Sequence, residues 1–288
     1  MASPREIRRR IRSVKNMSQI TRAMEMVSAS KMRRAQQRVL ASRPYSEQIQ
    51  AVIADLASAQ VDEEGLQALS LLEVRPVQHA AMIVLTPDKG LTGALNSNII
   101  RRASRYILTE ADVPVEVIAA GKKGRDFMLR TKQDVVAEFI GLGDAPSLDD
   151  IRPIVQVALD DFISGKVDAV FLVYPKFVNT LSQVPQVQQI LPIVRPEGSG
   201  QYRDYIFEPS PAAVLQALLP RFVEIQVYQA MLETIASEHS ARMVAMRNAS
   251  QNAKDLVSDL TLSYNKVRQA QITREVAEIS AGANAFAE

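Results

Sequence analysis

Apolar side chains near the start of the chain recur at helical spacing, with Ile7, Ile11, Val14, Met17, Ile20, Met24 and Val27 on one stripe. Ser3 before Pro4, with Glu6 in the following turn, supplies a cap, a first-turn proline and a charge that complements a helix N-terminus. The pattern predicts a helix from there to about Ala59, with Pro44 as its one kink or local break. At the other end, after Pro209-Ser210-Pro211, only Pro220 interrupts helical composition as far as Ala281. Read as heptads, this segment has Leu232, Ile235, His239, Arg242, Met246, Ala249, Ala253, Leu256, Leu260, Ser263, Val267 and Ala270 along a seam. About 70 helical residues at about 1.5 Å each make a rod of roughly 100 Å, too long to bury inside this chain. Small residues in the middle of the seam permit close approach, while His239, Arg242 and Ser263 weaken it. The two ends are predicted to pair in antiparallel fashion, with most of their circumference left for something outside the chain.

Between them the period changes. Ala80–Thr86, Val115–Ala120, Val135–Ile140 and Ala169–Tyr174 read as strands, with Val184–Ile193 as an edge strand. Helices are expected around Asn98–Thr109, Gly124–Arg130 and Ser147–Ser164, which makes a largely parallel sheet with covering helices. Glycine marks the same division: ten of the 11 lie between Gly65 and Gly200, and residues 1–64 and 201–281 have none. A doubly wound sheet raises the question of a nucleotide. The loops Gly90-Leu91-Thr92-Gly93 and Gly121-Lys122-Lys123-Gly124 lack the spacing of either phosphate-cradling motif, so they are expected to serve turns and helix starts, and no cofactor is expected.

Composition narrows the chemistry. The chain has 288 residues, 47% of them hydrophobic, and no cysteine, which removes disulfides, thiolate metal sites and thiol nucleophiles. His79 and His239 are its two histidines, with no carboxylate at ligand spacing, and no serine, histidine and acid motif is recognisable. Asp149, Asp150, Asp160 and Asp161 read as helix-start and solvent-face residues. Neither a catalytic nor a metal site is expected. The longest apolar runs, such as Ala80–Leu85, fall far short of the roughly 20 residues that span a bilayer, so membrane association is expected to be peripheral. The net charge of +2 conceals an asymmetry: residues 1–43 carry a balance of +10, and the remainder carries −8. Glu6 and continuity with a much longer helix argue against a removable transit peptide. A basic helix suits nucleic acid as well as an acidic protein. Against nucleic acid, residues 1–44 contain no aromatic stacking residue, and Ala23–Ser30 interleaves small and Met residues as protein contacts do. A cofactor-using α/β enzyme stands as a third class.

Particular strings say more. Arg5-Glu6-Ile7-Arg8 and the run Ile20-Thr21-Arg22-Ala23-Met24-Glu25-Met26-Val27-Ser28-Ala29-Ser30-Lys31-Met32 closely resemble the first-helix signature of the gamma subunits of F-type ATP synthases. Thr86-Pro87-Asp88-Lys89-Gly90-Leu91-Thr92-Gly93-Ala94-Leu95-Asn96 resembles that family's central loop, and Tyr205-Ile206-Phe207-Glu208-Pro209 its foot. Ser237 to Ala249 and Leu262 to Thr273 resemble its C-terminal signature. The resemblance covers the whole chain in order.

It implies an antiparallel coiled-coil shaft, built from residues 1–59 and 211–288, that reaches into a ring of three alpha and three beta subunits, with a Rossmann-like α/β domain at 76–200 outside it. Such a shaft is the rotor of a proton-driven machine, and catalysis takes place on the surrounding ring. By motif position, Met24, Arg242, Gln269 and Thr273 correspond to shaft residues at or supporting the contact with beta subunits. Arg242, a guanidinium on the seam, is expected to bridge the two helices or to meet an acidic beta loop. Tyr205 and Glu208 match the foot, implying contact with the epsilon subunit and the membrane c-subunit ring. The implied place is peripheral, on the cytoplasmic face of the bacterial cell membrane, with no cofactor, no metal and no nucleic acid. Thr92 stands where many members have cysteine, which excludes disulfide control, and Arg274 and Val276 depart from the last signature without disturbing the seam.

Overall fold

Ser3 caps the first helix as its sequence suggests: its Oγ accepts from the Glu6 backbone N–H at 3.3 Å, and α1 then runs over Pro4–Ser58. The computed structural model describes residues 3–58, 70–194, 208 and 210–285. Within them α1 continues through Pro44, and the last helix, Pro211–Ala285, continues through Pro220. The expected break at Pro44 is absent. Each proline removes one backbone hydrogen bond, and around Pro220 the burial of Leu219, Phe222, Val223, Ile225 and Val227 outweighs that loss.

The chain divides into two compact units, one formed by Met1–Ser28 with Met243–Glu288, the other by Ala29–Arg242. The larger unit is built on a five-stranded sheet. Its strands are β1 (Ala80–Leu85), β2 (Val115–Ala120), β3 (Val135–Phe139), β4 (Ala169–Phe177) and β5 (Gln183–Leu191), in the order β3-β2-β1-β4-β5. The first four are mutually parallel, and β5 returns antiparallel to β4 as the expected edge. Between them lie α2 (Leu95–Arg105), α3 (Lys122–Arg130) and α4 (Leu148–Ile163), which makes the long C-terminal helix α5.

All six residues of β1 are buried because both faces of the sheet are covered. Ala80, Met82 and Val84 face α2 and α3 through Leu95, Ile99 and Met128. The alternate residues Ala81, Ile83 and Leu85 share a second core with Ile154 and Phe162 of α4, Ile53 of α1 and Val223 of α5. A capping box starts α4: Ser147 Oγ accepts from the Asp150 N–H, and the Asp150 carboxylate accepts from the Ser147 N–H. Two helices start earlier than the sequence reading, and β4 runs on past Tyr174 to Phe177. The helix expected over Asn98–Thr109 begins at Leu95 and ends in a π-turn at Tyr106–Glu110. The one expected to begin at Gly124 begins at Lys122, which leaves Gly124 in its first turn.

In the smaller unit the start of α1 and the end of α5 pair in antiparallel fashion. Arg8 bonds Tyr264, Ser18 Oγ lies 3.3 Å from the Ser250 carbonyl, and Arg247 Nε lies 2.9 Å from Glu25 Oε1. The seam departs from its heptad reading beyond Ala253. Met246, Ala253, Leu260 and Val267 are shielded as expected and Ala249 is half-buried, but Leu256 and Ser263 are exposed, and Val257 and Tyr264 are shielded in their place, in line with Met243 and Ser250. On α1 the stripe holds from Ile7 to Val14 and then passes to Ser18, Thr21 and Ser28. Small hydroxyl residues win these places because they let the backbones approach closely while their hydroxyls find acceptors nearby. Thr21 Oγ1 donates to the Met17 and Ser18 carbonyls, and Ser18 meets Ser250 across the seam.

Candidate functional site

In a doubly wound sheet the first place to look for a ligand is the crevice at the carboxyl ends of the strands. Here the chain itself fills that crevice. Asp88, just past β1, puts Oδ1 2.8 Å from the Lys122 N–H at the start of α3 and Oδ2 2.9 Å from the Gly141 N–H beyond β3. A carboxylate of the chain thus occupies the helix terminus where a phosphate would sit. Gly121 and Gly124 are glycine for close packing: a Cβ on Gly121 would lie 1.8 Å from the Thr86 carbonyl oxygen, and one on Gly124 would lie 2.8 Å from Thr86 Oγ1. On one side of the Gly90–Gly93 loop an open groove of about 820 Å³ runs between α2 and α3, lined by Arg101, Lys123 and Arg130. On the other, beneath α5, the packing leaves a cavity of about 60 Å³ walled on one side by Met231, Thr234, Ile235 and Glu238, far below the roughly 300 Å³ at which ligand pockets begin.

Next to it lies a polar cluster on α5. Glu238 and Arg242, one turn apart and each 9% exposed, are paired at 2.6 Å. The same guanidinium donates to the Gly90 carbonyl at 3.3 Å and stands 3.5 Å from His239 Nδ1, while His239 Nε2, buried without a hydrogen-bond partner among the described residues, lies 3.2 Å from Asp144 Oδ1. Arg242 therefore works inside the larger unit, and its partners there are on its own helix and on the loop after β1. Burial pushes the Glu238 carboxyl up, against the downward pull of Arg242.

Burial also pushes His239 down to about 4, with Arg242 and Lys31 adding to the effect and Asp144 opposing it. The folded state thus holds the ring neutral over a range where the unfolded chain, with a pKa of about 6.5, binds a proton. Stability from this residue is fully present above pH 6.5 and is lost as pH falls toward 4. Urea unfolding of the wild type and of His239→Gln, at pH 7.5 and pH 4.5, is expected to show the gap between them shifting by about 2 kcal/mol against the wild type on acidification. An unchanged gap would mean that the imidazole is not held neutral.

The helix pair offers the outward-facing surface. Because serines and threonine take the seam, Met17, Ile20, Met26 and Val27 of α1 are each more than half exposed. Around them Arg5, Arg9, Arg12, Lys15, Arg22 and Arg33 are exposed and have no ion-pair partner among the described residues. With Arg8 beside Tyr264, Pro4 comes opposite roughly residue 268, so the last four or five turns of α5 extend beyond the start of α1. Those turns expose Ile272, Val276 and Ile279 at 46%, 60% and 72%. Chains seldom leave contiguous apolar faces open unless a partner covers them.

The sequence-derived contact residues fall into three settings. Met24 is half-buried on α1, Gln269 and Thr273 are exposed on the overhanging end of α5, and Arg242 is buried in the larger unit. Glu208 is exposed, and Tyr205 lies outside the described residues. The seam hydroxyls Ser18, Thr21 and Ser250 escaped the sequence reading, although their spacing with Val14 and with Met246 and Ala253 carries the signal.

A family model described as ATP synthase matches residues 3–286. An ATP synthase gamma chain of Roseiflexus castenholzii is 60% identical over 292 residues, with all of both chains covered. One from Chloroflexus aurantiacus is 54% identical over 290 residues, covering 99% of each. Among solved structures, the Tetrahymena thermophila mitochondrial ATP synthase central stalk and c-ring contains a chain 26% identical, with a TM-score of 0.60 over 80% of this chain and 99% of that one. A chain of the Euglena gracilis mitochondrial ATP synthase rotor, 22% identical, shares the fold with a TM-score of 0.65 over 93% and 98%.

Proposed function

The chain belongs to the ATP synthase gamma-chain family, and from that membership we propose that it is the central-stalk rotor of an F-type ATP synthase, turning inside a ring of three alpha and three beta subunits. The observation that carries this reading is the outward face of the helix pair: an exposed apolar stripe on α1, six free cations around it, and an α5 end with no α1 beside it. Such a face suits a sleeve of apolar and acidic loops. Its charge favours insertion and steering, and its exposed methionines and isoleucines bear on whichever subunit faces them.

The mechanism follows from asymmetry. A single shaft presents different residues to three equivalent partners at any instant, so each partner has a different preferred conformation and nucleotide affinity. Rotation permutes the three states. Nucleotide chemistry then lies on the beta subunits, and this chain supplies differential contact rather than a reacting group. Gln269 and Thr273, on the exposed end of α5, and Met24 on α1 are the residues assigned to the ring contact, with Arg242 supporting it from the larger unit. Glu208, exposed before α5, and Tyr205 are assigned to the foot that meets the epsilon subunit and the c-ring. No helix of the described residues is long and apolar enough to cross a membrane, and the proposed place is peripheral, on the cytoplasmic face of the bacterial membrane.

Co-expression with alpha and beta subunits tests the reading. One copy per three alpha–beta pairs is expected by size exclusion, persisting at moderate salt. Truncation after residue 268 is expected to lower ATP turnover several-fold while the complex holds together. A chain that never joins the ring, or whose binding collapses steeply with salt as phosphate contacts do, would turn attention to nucleic acid.

A further inference from the structure

The loop between β3 and α4 carries a carboxylate that is bonded from α1 and packed against a buried imidazole of α5. Asp144 Oδ2 accepts from Lys31 Nζ at 2.6 Å, and its backbone carbonyl accepts from Arg38 Nη1 at 2.9 Å. Its Oδ1 lies 3.2 Å from His239 Nε2. Lys31 and Arg38 stand two turns apart on one face of α1, with Ala35 buried between them, and His239 belongs to α5. The sheet decides where Asp144 sits. Gly141 and Gly143 both have φ +76°, and the Gly141 N–H is held by Asp88 Oδ2, so the loop turns sharply just before Asp144 and is anchored beyond β1 rather than on either helix.

Apolar contacts hold α1 in this unit too, since Ala35, Ile49 and Ile53 share a core with Ile83 and Leu85. Those contacts lack direction. A helix rolling or sliding by part of a turn exchanges one set of methyl contacts for another at little loss, whereas hydrogen bonds to a charged group demand one distance and one angle. Two hydrogen bonds from α1 end on Asp144, and the buried His239 ring of α5 stands against the same carboxylate at 3.2 Å, so slip of one helix past the other must break a bond to α1 or drive the carboxylate against the ring.

We propose that Asp144 is the positioning residue that fixes the axial and rotational register of α1 against α5, so that twist entering either helix is carried through the α/β unit rather than lost as slip. The register belongs to the chain alone; its consequence for coupling rests on the rotor reading.

Hydrogen exchange on the full chain tests the register. In Asp144→Ala, amides of residues 31–42 are expected to exchange about tenfold faster, with β1 and β2 unchanged. The charge swap Lys31→Glu with Asp144→Lys is expected to bring that segment back toward wild type, a recovery that a merely misfolded loop would not give. Unchanged exchange in residues 31–42, or loss of protection throughout the sheet, overturns the proposal.

In the reconstituted synthase, Asp144→Ala is expected to keep most of its ATP hydrolysis while proton pumping per ATP falls several-fold, and the swap is expected to restore the ratio. Faster exchange with an unchanged pumping ratio overturns the mechanical role. Failure of the wild-type chain to join the ring would sink the rotor reading instead, and exchange would still decide the register.

Discussion

Gly121→Ala is expected to cost more than about 4 kcal/mol of stability, or to abolish soluble folding, because no adjustment makes room for the methyl group. The added Cβ would lie 1.8 Å from the Thr86 carbonyl oxygen and 2.7 Å from its carbonyl carbon, at a backbone φ of +113°. Thr86 cannot retreat. Its N–H donates to the Ala120 carbonyl at 2.8 Å, its Oγ1 donates to the Gly121 carbonyl at 3.3 Å, and that Oγ1 accepts from the Gly124 N–H at 2.8 Å. Gly121 is equally fixed, with its N–H on the Phe139 carbonyl at 2.8 Å. Gly141→Ala separates the two components of the loss, since its φ of +76° is unfavourable but nothing lies within 4 Å of the added carbon. That variant is expected to lose only about 1–2 kcal/mol. Urea unfolding of both, side by side, decides it: a Gly121→Ala within about 1 kcal/mol of Gly141→Ala would mean that Thr86 yields after all.

The close approach of Thr86 to Gly121 and Gly124 also shows where sequence stops informing. The strings Gly90 to Gly93 and Gly121 to Gly124 are legible as turn glycines, and their failure to match phosphate-binding spacing is legible too. What occupies the space is not, because Asp88 is 34 residues from the amide it accepts and 53 from the other. Local periodicity contains no term for such contacts. By contrast, β1 to β4 and the capped start of α4 are local features, in which short apolar runs and Ser147 with Asp150 mark the elements themselves. The edge strand β5 was readable as a strand, while its antiparallel sense depends on the short connection from β4.

On the C-terminal helix, the heptad reading holds as far as Ala253 and then misses every second place for a physical reason. Met246, Ala253, Leu260 and Val267 are common to two frames that differ by one residue at the intervening places, and apolarity favours the frame containing Ala249 and Leu256. The helix pair selects the other, because Ser250 opposite Ser18 permits a closer approach than larger side chains would, with both hydroxyls satisfied. Leu256 is left 47% exposed, as are Met17 and Ile20 at slightly more than half. Apolar residues pushed outward by small seam residues form the exposed face on which the proposed ring contact rests. The Met24, Gln269 and Thr273 assignments came from resemblance to family motifs, and no spacing argument would have singled them out.

Arg242→Ala is expected to be the most damaging change on α5, at about 3–5 kcal/mol, because it strands the Glu238 carboxylate in a buried site. Arg242 opposes the burial that raises the Glu238 pKa, so its removal pushes that pKa further up. The sign follows. Below the raised pKa Glu238 is neutral and the variant is nearly relieved, while above it the folded state must either keep a proton that the unfolded chain releases or bury a bare charge. The loss should therefore grow as pH rises from 5 to 8, and Glu238→Gln in the Arg242→Ala background should recover much of it. A loss independent of pH, with no recovery in the double variant, would show that Arg242 acts mainly through Gly90 and packing. The same pair separates stability from partner contact in the assembled complex. If the double variant regains stability and turnover together, Arg242 serves the ring only by keeping α5 in place against the loop after β1. If stability returns and turnover does not, the guanidinium itself reaches the ring during rotation, exchanging its pairing with Glu238 for a carboxylate on a beta subunit.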